Sequence, residues 1–250
     1  MTTPLVILKA GSGPSVVKAE HGDYEDWIEA AIASPGLGMP APSLRVEVVD
    51  ARHLTDLAAF PPIGDIAGAI ITGSRAMVTA PEPWSQALGR WIAQAEDRAM
   101  PILGICYGHQ LLAHMLGGAV GQRGGGPEIG TVRVRCTAAA KTDPLFRQLP
   151  PQFDAQTLHW QSVVRLPVDA ILLAGSDGDP FHAFRYGRHC WGVQFHPEFD
   201  TAIMRAHIDC LAETLVEEGC GVDALRNTLR ASNAARALLP AFASYVAERS

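Results

Sequence analysis

Positive charge is scarce in this chain: 20 Lys and Arg stand against 26 Asp and Glu over 250 residues, a formal net charge of −6. There is no basic run and no basic patch interleaved with aromatic rings, so the electrostatic footprint of a nucleic-acid-binding surface is missing and nucleic acid is not expected as a partner. Cysteine is sparse as well. The five cysteines, Cys106, Cys136, Cys190, Cys210 and Cys220, are odd in number, widely spaced and without a C-x-x-C pair. That excludes the patterns of a disulfide framework or a zinc site and points to a reducing compartment, the cytoplasm. Apolar stretches fall far short of the roughly 20 residues that cross a bilayer, and there is no Lys- or Arg-led apolar leader, so neither membrane nor export is expected. The nine histidines lack metal-ligand spacing of the H-E-x-x-H kind, and His109 and His114 share a helix face poorly; no metal is expected. Ala10-Gly-Ser-Gly-Pro-Ser15 begins like a dinucleotide loop, but Val16 stands where the third glycine belongs and Pro14 removes an amide. It reads as a strand-end loop bordering the site, and no cofactor is expected.

Apolar residues are abundant: 48% of the chain is hydrophobic and 18% charged, enough at this length for one large core, read as a single domain over residues 1–250. Residues 4–9, 44–49 and 67–72 read as strands, 24–33 as a helix. Residues 84–98 carry Trp84, Leu88, Trp91, Ile92 and Ala95 on one helical side, and 102–105 form a short apolar strand. This βαβ series implies an α/β fold, a mostly parallel sheet with helices on both faces. After Leu116 the texture changes to an alternating strand over 129–136 and short strands over 156–158, 170–174, 182–185 and 189–194, punctuated by turns, which reads as hairpins beside the main sheet. Residues 201–218 resume as a helix. The segment 222–250 reads as a C-terminal extension of one or two helices interrupted by Pro240, packing on the domain or on a partner.

Chemistry concentrates at Pro101-Ile-Leu-Gly-Ile-Cys-Tyr-Gly-His-Gln110. Gly104 and Gly108 bracket Cys106 as G-x-C-x-G, the thiol counterpart of a G-x-S-x-G elbow, where missing side chains let a strand turn sharply into a helix and expose a nucleophile. A cysteine at a helix N-terminus sits where the dipole favours thiolate and free amides can hold an oxyanion. A thiol nucleophile needs a base and an orienting group. Trp191-Gly-Val-Gln-Phe-His-Pro-Glu-Phe199 supplies both: Pro197 pushes His196 into an extended conformation, so His196 and Glu198, two apart, face the same side. A Cys106, His196, Glu198 triad follows.

Gly104-Ile-Cys-Tyr-Gly-His-Gln110 and Gly192-Val-Gln-Phe-His-Pro-Glu198 resemble the motifs of class I, triad-type glutamine amidotransferases, including the glutaminase domain of GMP synthases, with similar order and spacing over residues 1–216. The resemblance implies a flavodoxin-like open sheet with a small antiparallel section. It also implies attack by Cys106 on the glutamine side-chain amide, proton shuttling by His196, orientation by Glu198, and a thioester that water cleaves to glutamate. It places the oxyanion hole at the amides of Gly73, which ends the strand Ile66-Ala-Gly-Ala-Ile-Ile-Thr-Gly-Ser74, and of Tyr107, and puts Gln110 on the substrate. The chain departs from the family pattern where related proteins carry Ser-His-Gly-Asp. Here Leu158-His-Trp-Gln-Ser162 assigns the amino-acid end to His159, Trp160 and Gln161, with Glu128 of Pro127-Glu-Ile-Gly130 as a further substrate contact.

Three readings remain open. One is a glutaminase that acts alone or feeds ammonia to a separate synthetase subunit, since no Walker loop or Ser-Gly-Gly-x-Asp-Ser motif is present for ATP-dependent amination. Another is a γ-glutamyl peptide hydrolase whose Trp160-Gln161 region admits a larger leaving amine. The last is a non-catalytic binding or regulatory module, against which an intact Cys106, His196 and Glu198 argue.

Overall fold

Unbroken apolar runs become buried strands, and amphipathic runs become helices, across the residues that the computed structural model describes, 3–34 and 44–249. In chain order these are β1 (Leu5–Lys9), α1 (Ser15–His21), α2 (Tyr24–Ile32), β2 (Val46–Asp50), β3 (Gly68–Ile71), α3 (Pro83–Asp97), β4 (Ile102–Ile105) and α4 (Tyr107–Met115). They continue with β5 (Ala119–Gln122), β6 (Glu128–Cys136), β7 (Gln152–His159), β8 (Gln161–Arg165), β9 (Ile171–Gly175), β10 (Ala183–Tyr186) and β11 (Cys190–Val193). The chain closes with α5 (Thr201–Cys210), α6 (Ala212–Glu217), α7 (Val222–Asn227), α8 (Asn233–Arg236) and α9 (Leu238–Ala247).

Nine strands form one sheet in the order β2-β1-β3-β4-β11-β10-β9-β6-β7, and β5 pairs with β8 in a separate ribbon. From β2 to β11 every pairing is parallel; from β11 to β7 every pairing is antiparallel. The antiparallel strands therefore extend the main sheet, and among the described residues only the β5–β8 ribbon stands beside it.

Both faces of the inner parallel strands are covered, which is why β1, β3, β4 and β11 are buried along their length, whereas the edge strand β2, Val-Glu-Val-Val-Asp, stays partly exposed. Along β1, Leu5 and Ile7 face a core shared with Ile28 of α2 and Leu238 and Phe242 of α9. Val6 and Leu8 face the opposite core, with Leu88 and Trp91 of α3 and Leu112 of α4. Each such side chain, fully buried, contributes roughly 1.5–3 kcal/mol. Helix starts are fixed locally: Asp23 and Asp26 form a capping box at α2, and Pro83 sits in the first turn of α3, where a missing amide costs nothing.

Several sequence expectations shift. The single helix read over 201–218 is divided at Leu211, whose backbone departs from helical geometry while Leu215 remains fully buried. The C-terminal segment holds three short helices rather than one or two, and its final residue, Ser250, lies outside the described residues. Pro240 does not interrupt it. It occupies the first turn of α9, where helix amides have no internal acceptor. Leu238, Leu239, Phe242 and Val246 are fully buried on the chain's own core. Helix α1 and the β5–β8 pair are not marked by any of the sequence patterns above. Among the described residues no helix is long and apolar enough to cross a membrane.

Candidate active site

In an open parallel sheet the crevice lies beyond the carboxyl ends of the strands, near the point where strand order reverses. Here β1 lies between β2 and β3, and the segments leaving β1, β3, β4 and β11 carry Pro14, Ser74, Cys106 and His196 to the wall of one cavity. Its volume, about 270 Å³, suits a small metabolite.

Cys106 links β4 to α4 with φ 50° and ψ −99°, a positive φ that an L-residue rarely adopts. Such backbone stores about 1–3 kcal/mol and persists only where the surroundings enforce it. Two glycines enforce it here. A Cβ at Gly104 would lie 2.5 Å from the backbone of Gly108, and a Cβ at Gly108 would lie 2.5 Å from the carbonyl of Ile71. The elbow is thus pressed against β3 and β4, and the Cys106 amide donates to the Val193 carbonyl of β11 at 2.8 Å. The thiol lines the cavity, 3.8 Å from the Leu158 carbonyl. The Tyr107 amide opens α4, and first-turn amides have no acceptor within their helix.

His196 follows β11 in extended form, its amide donating to Gln156 at 2.8 Å. Its Nδ1 meets Glu198 Oε1 at 2.7 Å, with both side chains buried. Phe199 stacks on the imidazole at a centroid distance of 4.1 Å, and Tyr24 lies parallel at 6.1 Å. Burial opposes a charge on the ring, but the negative charges of Glu198 and Cys106 and hydrogen bonds to both raise the His196 pKa to about 10. Gly73 stands against this ring: a Cβ there would be 2.9 Å from Cε1. An imidazole fixed by a carboxylate beside a thiol on a helix N-terminus can accept the thiol proton and return it.

The β7–β8 junction closes one wall. Gln110, His159, Trp160 and Gln161 all line the cavity. The Gln110 amide donates to the Gln161 carbonyl at 2.7 Å and to Gln194 Oε1 at 2.9 Å. Gln161 Nε2 donates to Thr79 at 2.6 Å, while its Oε1 is buried with no hydrogen-bond partner among the described residues. Glu128 is the exception among the sequence-predicted residues. It is absent from the cavity wall, because its carboxylate turns to His159, His182 and Ser176 at 3.0, 2.8 and 2.9 Å. The structure places Glu128 behind His159, away from the cavity.

Other residues of the wall and its support were not singled out in the sequence: Tyr24, His182, Gln194 and His207. Gln194 lay inside the second motif without an assigned role, and only the fold shows it meeting Gln110. Tyr24 and His207 arrive from helices whose apolar periodicity conceals them. The loop after β1 does border the cavity, through Pro14, held by the Gly13 amide on Asp23 at 2.9 Å.

A family model, "Glutamine amidotransferase class-I", matches residues 27–232. Gamma-glutamyl peptidase 5 of Arabidopsis thaliana is 30% identical over 225 residues, 88% of this chain and 85% of its own length. The glutamine-hydrolyzing GMP synthase of Aeropyrum pernix is 36% identical over 152 residues, 61% of this chain, and the chain spans 28% of that relative. Among solved structures, a glutamine amidotransferase of Thermotoga maritima shares the fold at TM-score 0.73, with 20% identity, 99% of this chain and all of its own covered. A glutamine amidotransferase of Methylobacillus flagellatus does so at 0.67, with 20% identity, all of this chain and 94% of its own covered.

Proposed function

The chain belongs to the class I glutamine amidotransferase family, and from that premise we propose that it hydrolyses the γ-carboxamide of glutamine to glutamate and ammonia through a thioester on Cys106. One observation carries the reading: the strained elbow of Cys106 and the His196–Glu198 pair at 2.7 Å open on the same cavity. His196, whose pKa is raised to about 10, holds the proton drawn from Sγ, and the thiolate attacks the amide carbon. The carbonyl electron pair moves onto oxygen, which the amides of Gly73 and Tyr107 receive as an oxyanion. Collapse breaks the C–N bond, and His196 returns its proton to the departing nitrogen as ammonia leaves. His196 then deprotonates water for attack on the thioester, glutamate departs, and the thiol is restored. Glu198 holds the ring orientation and supports the imidazolium in both half-reactions. Gln110 and Gln161 bind the amino-acid end, with the unpartnered Gln161 Oε1 accepting from the α-ammonium.

Transfer of the ammonia to a synthetase is a role that the GMP synthase relatives suggest for a partner protein. A second reading, hydrolysis of γ-glutamyl peptides, is favoured by the 85% coverage of the plant peptidase and by Trp160, Leu211 and Thr214, which extend the cavity wall where a larger leaving amine would lie. Ammonia and glutamate release from L-glutamine, measured beside γ-glutamyl dipeptides and glutathione, tests both. Glutamine turnover that disappears in Cys106→Ala supports the first, a preference for peptides supports the second, and hydrolysis that survives Cys106→Ala refutes the thioester in either.

A further inference from the structure

His196 and Glu198 lie past the last residues that the sheet holds. The pairing of β11 with β4 ends at Val193, opposite Ile105, and residues 194–199 belong to no strand. Two main-chain amides tie the start of this segment to its neighbours: Gln194 donates to the His182 carbonyl and His196 to the Gln156 carbonyl, each at 2.8 Å. The ladder fixes where the segment begins, but not how its far end is turned.

That end is gripped from a distant part of the chain. Arg236 Nη1 donates to the Glu198 carbonyl at 3.2 Å, and Ser232 Oγ donates to the Phe199 carbonyl at 3.3 Å. Both residues so held touch the imidazole, Glu198 through its carboxylate on Nδ1 at 2.7 Å and Phe199 through a ring stacked at 4.1 Å. Glu198 depends on its backbone for its aim. Its side chain is fully buried, one carboxylate oxygen meets His196, and the other has no hydrogen-bond partner among the described residues. The same stretch reaches the other side of the histidine as well. Gln156, whose carbonyl receives the His196 amide, donates its Nε2 to the Arg230 carbonyl at 2.7 Å. Thr131 Oγ1 joins them, donating to Gln156 Oε1 at 3.0 Å and accepting from the Arg230 amide at 2.9 Å.

Two details separate this grip from the ordinary packing of a terminal segment. Ser232 stands at the N-cap of α8, where a serine hydroxyl usually accepts a first-turn amide, yet it makes no cap bond and turns to Phe199 instead. Arg236 enters no ion pair among the described residues, and its donor goes to an uncharged carbonyl beside the triad. The stretch is itself anchored, because Ala235 and, beyond Arg236, Leu238, Leu239 and Phe242 are fully buried. The seat of α9 in the core therefore sets where residues 230–236 lie. We propose that Ser232 and Arg236 are positioning residues for the hydrolysis, in a strap of residues 230–236 that sets how the His196–Glu198 pair is turned toward Cys106. The kinetic consequence rests on the function proposed above; the placement of imidazole beside thiol is read without any substrate.

Steady-state kinetics on the hydrolysed γ-glutamyl substrate give the first readout. Arg236→Ala should lower kcat about tenfold, the scale of a small misplacement of a reacting group, with KM within about twofold of the unmodified protein. Arg236→Lys keeps a charged donor and should recover part of the kcat. Ser232→Ala removes a single hydroxyl and carries the same tests if Arg236→Ala does not fold; its expected kcat loss is about threefold. Arg249→Ala controls for a loosened C-terminal segment, since Arg249 donates to the Tyr245 carbonyl and covers the Tyr245 ring near the end of α9; its kcat should be unaltered. An unchanged kcat in the folded strap variant, a loss that appears in KM instead, or an equal kcat loss in Arg249→Ala overturns the positioning role. The second readout needs no substrate: alkylation of Cys106 by iodoacetamide at neutral pH, followed at its own peptide by mass spectrometry. An imidazolium in place holds the thiol as thiolate, so the rate should fall about fivefold in Arg236→Ala and recover in Arg236→Lys. An unaltered rate overturns the proposal. If the unmodified protein hydrolyses no γ-glutamyl compound, the proposed function fails instead, and the alkylation rate alone decides the role of the strap.

Discussion

The two halves of the sheet divide the site differently. The parallel half delivers Cys106 and His196 from short contiguous motifs at the ends of adjacent strands, β4 and β11. The antiparallel half, with the β5–β8 ribbon beside it, delivers Glu128, His159 and Gln161 through contacts between residues 31 and 54 positions apart and through a carbonyl shared with Gln110. The proposed reactive groups are thus specified locally, while the wall proposed to select what reaches them is specified by long-range packing. Substitutions in the parallel half should strike kcat, and those in the antiparallel half should strike KM.

The largest effect belongs to the elbow. Cys106→Ala should reduce kcat about 10⁴-fold or more, the order seen when a triad loses its nucleophile, with little change in thermal midpoint. Full retention of turnover would break the comparison at its root. Next comes Glu198→Gln, expected to lower kcat by about 10²–10⁴-fold. The His196 pKa is raised to about 10 against an ordinary 6.5, so stability from the charged ring is complete below about 6.5 and is lost as pH rises through about 10. Removing the Glu198 charge leaves burial to dominate, and the alkaline limb of the kcat profile should move to lower pH; an unmoved limb would remove Glu198 from the machinery. Gly73→Ala should follow, with kcat down about 10–100-fold, because the new methyl at 2.9 Å from His196 Cε1 must displace the ring. The smallest effect crosses to the other half: Gln161→Leu should raise KM for L-glutamine about tenfold through loss of the free Oε1, with kcat nearly unaltered. A kcat loss matching that of Gly73→Ala would erase the division between the halves.

The same division decided what could be read in advance. The elbow, the histidine and its carboxylate rest on rules that act within a few residues: glycine at a tight turn, an extended residue before proline, and side chains two apart on one side. Strand β4 and the starts of α2 and α3 were legible for the same reason. The place of Glu128 behind His159 was not legible, because nothing within Pro127-Glu-Ile-Gly130 reveals that the partner of β6 carries His159 opposite it or that the residue entering β10 brings His182 to the same oxygen. The break at Leu211 and the β5–β8 ribbon likewise depend on what they pack against.

The register between β4 and β11 has one more consequence. Ile105 lies opposite Val193, and the Cys106 amide closes on the Val193 carbonyl. A slip of one residue would shift the thiol by about 3.3 Å along its neighbour and reverse the face of every side chain. The spacing of thiol and imidazole is therefore a property of the ladder, independent of the length of chain that joins the two strands. The chain between Leu116 and Arg188 supplies the cavity wall, the strand β10 beside β11 and the Gln156 carbonyl that holds the His196 amide, but its length does not set the spacing of thiol and imidazole.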